Sequence, residues 1–308
     1  MGEAASAYLE TIAQDEKRKD KRSVAVGKAQ LANVRMLQQD YAEALSLCAE
    51  VRILFQELNE PRNVAAIWHQ IGIIHRSHGN LEQAEHAYRQ SLALEVQSHN
   101  LVGEANSLLE LGNLYDDMGH LEEAATFSRQ AAEKFVTLCD FLAEGRAHNN
   151  LAATLIKLKR YNDARAELHR ALECNKSFGY NAEPWKTWSL LYFLEQTTDN
   201  APAAADAWQQ AVQCYLEYRR AGGESQEPGA QLCAQVVRDI SRRDTTEVTQ
   251  ILLHTAAAAD TPAWLKAMLP NLHAILHGNR DPALATDPAL DYRDAVELLL
   301  LSETLGDR

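Results

Sequence analysis

Between Glu104 and Asp117, apolar side chains fall at Leu108, Leu111, Leu114 and Tyr115. That spacing marks one face of an α-helix, which returns to the same side every 3.6 residues. A second stripe runs through Leu121, Ala124, Ala125, Phe127, Ala131, Phe135 and Leu138. Gly119 stands between them, so the pattern predicts two amphipathic helices joined by a tight turn. Gly79 holds the equivalent place forty residues earlier. Both glycines are expected at the left-handed position after a helix C-terminus, where a Cβ would clash.

The pattern repeats with a period of forty. Ala4, Ala44, Ala84, Ala124, Ala164 and Ala204 share one register, each three residues after Met1, Tyr41, Leu81, Leu121, Tyr161 or Ala201. Thr11, Val51, Ser91, Ala131, Ala171 and Ala211 lie two turns further along the same face. Gly72, Gly112 and Ala152 are the matching small positions on the first helix of each pair. Small residues at a fixed register predict the closest approach of two antiparallel helices. Leucine at Ala84 or Ala124 should cost ~1–3 kcal/mol by overpacking. A fixed period of this length marks a stacked repeat array, which presents a surface rather than an enclosed pocket.

Trp68 and Trp188 stand near the start of a pair, Leu111-Gly112 and Tyr115 follow in its first helix, and Ala84 with Tyr88, or Ala4 with Tyr8, lie in the second. This arrangement resembles the tetratricopeptide repeat (TPR). The family's closing proline is missing, and the unit is longer than the family's usual one. It is similar to the forty-residue subclass found in adaptor proteins and bacterial signalling proteins. The resemblance covers residues 1–218. It implies an all-α, right-handed α-solenoid of TPR helix pairs.

Met1 aligns with Leu81, so residues 1–218 read as five helix pairs preceded by one unpaired helix. This start reads either as a piece cut from a longer array or as an array that opens on a capping helix. Residues 4–15 keep the internal pattern instead of a polar capping face, which favours the first. Residues 219–228 read as a polar, flexible linker. Residues 229–308 lose the period and read as a C-terminal helical cap. Asp244-x-x-Glu247 is expected as a capping box before Val248, Ile251, Leu252 and Leu253. Thr261-Pro262 opens a helix through Trp264, Met268 and Leu272, and a last helix runs from Asp291 to about Leu305. This ending resembles the tail of multidomain bacterial TPR proteins whose array follows a STAND-type NTPase or a caspase-like protease.

Composition narrows the function. There are 43 acidic against 30 basic side chains, a net charge of −13. Such a surface repels nucleic-acid phosphate and anionic lipid, and favours protein or peptide partners, basic ones first. No apolar run reaches the ~18 residues of a membrane span. The start lacks a secretory pattern, so a cytoplasmic location is expected. Cys48, Cys139, Cys174, Cys214 and Cys233 lie far apart without metal-ligand spacing, and read as reduced cysteines in helical cores. His75 and His78 are one turn apart, but His75 shares a packing register with Tyr115 and Leu155. Asp116-Asp117 and Glu122-Glu123 flank a turn and read as solvated. Asp281 and Asp287 each precede a proline and read as turn or cap residues. No phosphate loop, nucleophile elbow or zinc motif is present, so no cofactor, metal or catalytic residue is expected.

In TPR arrays the first helix of each pair lines the concave face. On that resemblance Asn33 and Asn113, at one repeat position, are candidates to pair with the backbone of an extended peptide. His69, Arg76, Asn106, Asp116, Arg146, Asn149 and Lys157 are their neighbours. The leading reading is an interaction scaffold or sensor module. The alternative is a structural array that self-associates through its N-terminal helix. An enzyme with a site in the C-terminal segment is the weakest reading, because that segment has no motif.

Overall fold

The structure, a computed structural model, describes residues 2–241, 250, 261–287 and 290–306. The expected capping box at Asp244 and Glu247, with its apolar followers, lies outside the described residues. Every regular element described is helical. In order they are α1 (Gly2–Arg18), α2 (Lys21–Leu37), α3 (Tyr41–Glu57), α4 (Pro61–Ser77), α5 (Leu81–Gln97), α6 (Leu101–Asp117), α7 (Leu121–Leu138), α8 (Phe141–Lys157) and α9 (Tyr161–Asn175). A 3-10 segment (Lys176–Ala182) follows, then α10 (Pro184–Thr197), α11 (Ala201–Arg220), α12 (Pro228–Ser241), α13 (Ala263–Leu276), a 3-10 turn (Pro282–Ala285) and α14 (Tyr292–Gly306). No described helix is long and apolar enough to cross a membrane.

The turns recur every twenty residues. Gly79 and Gly119 are left-handed as expected, with φ of 83° and 77°. Lys19, Gln39, Asn59, His99, Cys139 and Lys159 take the same conformation without being glycine. At Gly79 the next amide, of Asn80, bonds the His75 carbonyl, while the Gly79 amide bonds that of Arg76. This double closure satisfies the orphan carbonyls at the helix end, and it outweighs the Cβ penalty where the residue is not glycine. The following residue often caps the next helix: Asp40 accepts from the Glu43 amide and Asp140 from that of Ala143.

The chain forms two compact units, residues 1–175 and 176–308. In the first, α1 packs on α2, and α2–α3, α4–α5, α6–α7 and α8–α9 are antiparallel pairs stacked in sequence. The seam alanines Ala44, Ala84, Ala124 and Ala164 are fully buried. Gly72 has the same cause: a Cβ there would stand 2.5 Å from the Tyr88 ring.

The second unit begins one pair earlier than the boundary expected at 218. The 3-10 segment interrupts the array at Gly179 (φ 55°, ψ −138°) and buries none of its residues. The α10–α11 pair then shares its core with α14, through Trp185, Ala211, Tyr215, Tyr292 and Val296. A second cluster joins Val236, Met268, Leu272, Ile275, Leu298 and Leu301. The stretch expected to be a flexible linker is tied down. The Tyr218 hydroxyl donates to the Glu224 carbonyl, and Arg219 Nε to that of Gly223, both at 2.9 Å. Cys139 also departs from expectation. It is exposed at a left-handed cap instead of lying in a core, whereas Cys48 and Cys233 are buried.

Glu95 occupies the register of the buried Phe55 and Phe135, and is itself 4% exposed. Its Oε2 has no hydrogen-bond partner. Burial pushes its pKa up, against the Asn100 bond and the Arg62 charge. Gly103 makes room for it, since a Cβ there would lie 2.2 Å from the carboxyl carbon. A raised folded-state pKa stabilises fully below the ordinary carboxylate pKa of about 4.3, and that contribution is lost as pH rises through the folded value. Glu95→Gln is therefore expected to stabilise the chain by about 1–2 kcal/mol near pH 8 and to change little below about pH 4. Thermal unfolding of both proteins across that range checks it. A difference independent of pH would count against the assignment.

Candidate functional site

Within the first unit, α4 touches α6 and α6 touches α8. Among the described residues, no pair of second helices makes contact as extensive. In this row of first helices, α4, α6 and α8 therefore approach one another more closely than the second helices do. All nine predicted residues lie on this row: Asn33 on α2, His69 and Arg76 on α4, Asn106, Asn113 and Asp116 on α6, and Arg146, Asn149 and Lys157 on α8. Arg146 and Lys157 are exposed, and the rest are half-buried.

The structure brings Arg76, Asn113 and Asp116 together with Asp117, Asn150 and Thr154 around a polar cleft of about 90 Å³. Most of these groups are bonded between neighbouring repeats. Arg76 donates to Asp117 at 2.6 Å and to Glu110 at 3.1 Å. Burial works against its charged form, but the bond to Asp117 and the nearby carboxylates outweigh it and raise its pKa. Asp116 accepts from Thr154 at 3.1 Å and pairs with Lys157. The acidic pair read as solvated thus joins three repeats.

The asparagine reading also changes. Gln70 donates its amide to Asn33 Oδ1 at 2.8 Å, and Asn150 donates to Asn113 Oδ1 at 2.6 Å. The oxygens expected to receive a peptide amide are already engaged by the next helix. His69 turns inward to an edge contact with Tyr88, ring centroids 5.5 Å apart, and burial lowers its pKa against the charge of Glu110. Asn106 and Arg146 make no side-chain hydrogen bond or ion pair among the described residues, so they are the groups left for a partner.

Sequence reasoning missed Gln70, Glu110 and Asn150, although all three share one forty-residue register on the first helices. A second pocket of about 230 Å³ is lined by Trp68, His75, Glu82 and His86. Arg52 covers Trp68 there, with its guanidinium carbon 4.9 Å from the ring centre. His78 packs on Tyr41 with the rings tilted by 55° and their centroids 4.7 Å apart. In the second unit, a pocket of about 510 Å³ is lined by Tyr192, Ala204, Trp208 and Thr286.

One cluster has donor atoms suited to a metal. Glu144, His148 and Cys174 each place one within 4.8 Å of the others. Burial, with the bond to and charge of Glu144, pushes the Cys174 thiol up to about 12.

Models of the tetratricopeptide repeat match residues 24–95, 105–133 and 147–179. Among solved structures, BtubC (BKLC) from P. vanneervenii has a TM-score of 0.66 at 16% identity, over 74% of this chain and 94% of that one. Aspartyl phosphate phosphatase F from Bacillus subtilis gives 0.59 at 11% identity, over 96% and 74%. A signal transduction ATPase with numerous domains and a tetratricopeptide repeat sensor, from Pyrococcus horikoshii, gives 0.59 at 15% identity. That match spans 97% of this chain and 45% of the ATPase. At these identities the likeness is one of fold, an all-α solenoid. No curated protein matches the sequence.

Proposed function

We propose, on the premise that this chain belongs to the tetratricopeptide-repeat family, that the face formed by α4, α6 and α8 receives a protein or peptide partner. The chain then serves as an interaction scaffold or sensor module, not as an enzyme. One observation carries this reading. On the row where the first helices approach each other, polar side chains line a cleft on α4, α6 and α8, and Asn106 and Arg146 on the same helices make no side-chain hydrogen bond or ion pair among the described residues. The net charge of −13 favours a partner that is basic overall and association that weakens with salt, while Arg146 itself meets a carbonyl or carboxylate acceptor of that partner. The resemblance of residues 229–308 to the tail of multidomain TPR proteins, together with the sensor named in the Pyrococcus protein, supports a role as a sensing module in signalling.

Asn33→Ala with Asn113→Ala would remove inter-repeat bonds as well as contact groups, so it does not isolate binding. Arg146→Glu does. It is expected to weaken a captured partner at least about tenfold while the melting curve stays unchanged. Arg129→Glu, exposed on the second helix α7, should leave binding intact. Titration of the captured partner against all three proteins reads this out. Equal losses in the two variants, or none in Arg146→Glu, would sink the face assignment.

A further inference from the structure

Comparison of two successive repeats singles out one cluster. In the unit ending at α7, Glu104 pairs with Lys134 at 2.6 Å, beside the apolar Leu108 and Phe127. Forty residues on, Glu104 becomes Glu144, but Lys134 becomes Cys174, Leu108 becomes His148 and Phe127 becomes Glu167. Three positions change together. A seam held by one ion pair and two apolar side chains turns into four polar groups, and Glu144 loses the ammonium that matched it.

The four groups are arranged. Glu144 and His148 are one turn apart on α8, and Cys174 faces them from the last turn of α9. His148 is 8% exposed and Glu144 13%. His148 Nδ1 lies 2.7 Å from Glu167 Oε2, and its Nε2 lies 3.7 Å from Glu144 Oε1. A proton on Nδ1, shared with Glu167, leaves the Nε2 lone pair on the side of Glu144. Arg170, 3.5 Å from the other oxygen of Glu167, supports its charge. A carboxylate behind the distal nitrogen is the usual outer support of a metal-bound histidine.

We propose that Glu144, His148 and Cys174 bind a divalent transition-metal ion, zinc by preference, with Glu167 as the positioning residue behind His148. The mixed oxygen, nitrogen and sulfur set suits zinc. Bonds of ~2.0–2.3 Å in a tetrahedron place ligands roughly 3.5 Å apart. The present separations, within 4.8 Å, close to that by small rotations of the Glu144 and Cys174 side chains. Binding forms a metal–sulfur bond and releases the thiol proton to solvent. The fourth position falls to water. The dication replaces the charge that Lys134 supplies in the preceding repeat.

The test uses the full chain without an affinity tag, reduced and stripped with chelator, and titrated with cobalt(II) and then zinc. The expected result is one cobalt per chain, with a near-ultraviolet thiolate band and the visible absorption of a tetrahedral ion, both abolished by zinc. Cys174→Ser should lose the thiolate band and weaken binding roughly 100-fold or more, and Glu167→Gln should weaken it about 10–100-fold while keeping the band. Cys174→Lys rebuilds the ion pair of the preceding repeat, so it should fold and bind no metal. A wild-type chain with no cobalt spectrum would overturn the proposal. So would a spectrum and affinity that survive in both Cys174 variants.

Discussion

Tyr88→Ala is expected to lower the unfolding free energy of the first unit by about 3–5 kcal/mol. Tyr88 is fully buried, packed among Ala84, Leu111, Leu114 and Ala124. It fills the space left by Gly72, where even one methyl group would meet its ring at 2.5 Å. Truncation therefore leaves a cavity that its closest neighbour has no side chain to fill, which favours the upper end of the range. The damage reaches both flanking repeats, because each repeat in a solenoid is stabilised through its interfaces. Gly72→Val alone should cost ~1–3 kcal/mol by overpacking. In the Tyr88→Ala background the same change should recover stability, since valine enters the cavity. Denaturant unfolding of the four proteins, followed by circular dichroism, gives the cycle. Additive losses would show that the two residues do not share a space.

Arg219→Met is expected to cost about 3–5 kcal/mol in the second unit. Arg219 pairs with Glu297 across α11 and α14, with side chains 19% and 5% exposed. Its removal strands the Glu297 carboxylate in a dry interface and breaks the bond from Arg219 to the Gly223 carbonyl. Glu297→Leu should cost less, because the remaining guanidinium keeps Gly223 and some access to water. The double variant Arg219→Met with Glu297→Leu should recover most of the loss, since two apolar side chains need no compensation. A coupling energy of at least about 2 kcal/mol is expected from the cycle. A value near zero would mean that the pair contributes nothing to packing of α14 on α11.

The helices were legible because their causes are local. A stripe at helical spacing, a glycine after it and an alanine at a forty-residue register each act within a few residues of chain. The left-handed turns were legible only at Gly79 and Gly119. At Gln39, Cys139 or Lys159 the conformation is imposed by two closing hydrogen bonds and not by residue type. Arg76, Asn113 and Asp116 were visible as polar groups on first helices. Their engagement with Asp117, Asn150 and Thr154 was not, because it depends on how neighbouring helices are turned toward each other. Cys174 stands 26 residues from His148, and only the pairing of α8 with α9 makes them neighbours.

The sequence by itself determined that the chain is helical, that the helices pair, and where small side chains let them approach. Those properties follow from periodicity and steric volume along the chain. The tertiary structure decided which polar side chains are spent on each other, which stay open to a partner, and where the array gives way to a second core. Those outcomes depend on rotation and register between helices, which are set by the summed packing of many side chains and are not encoded at any single position.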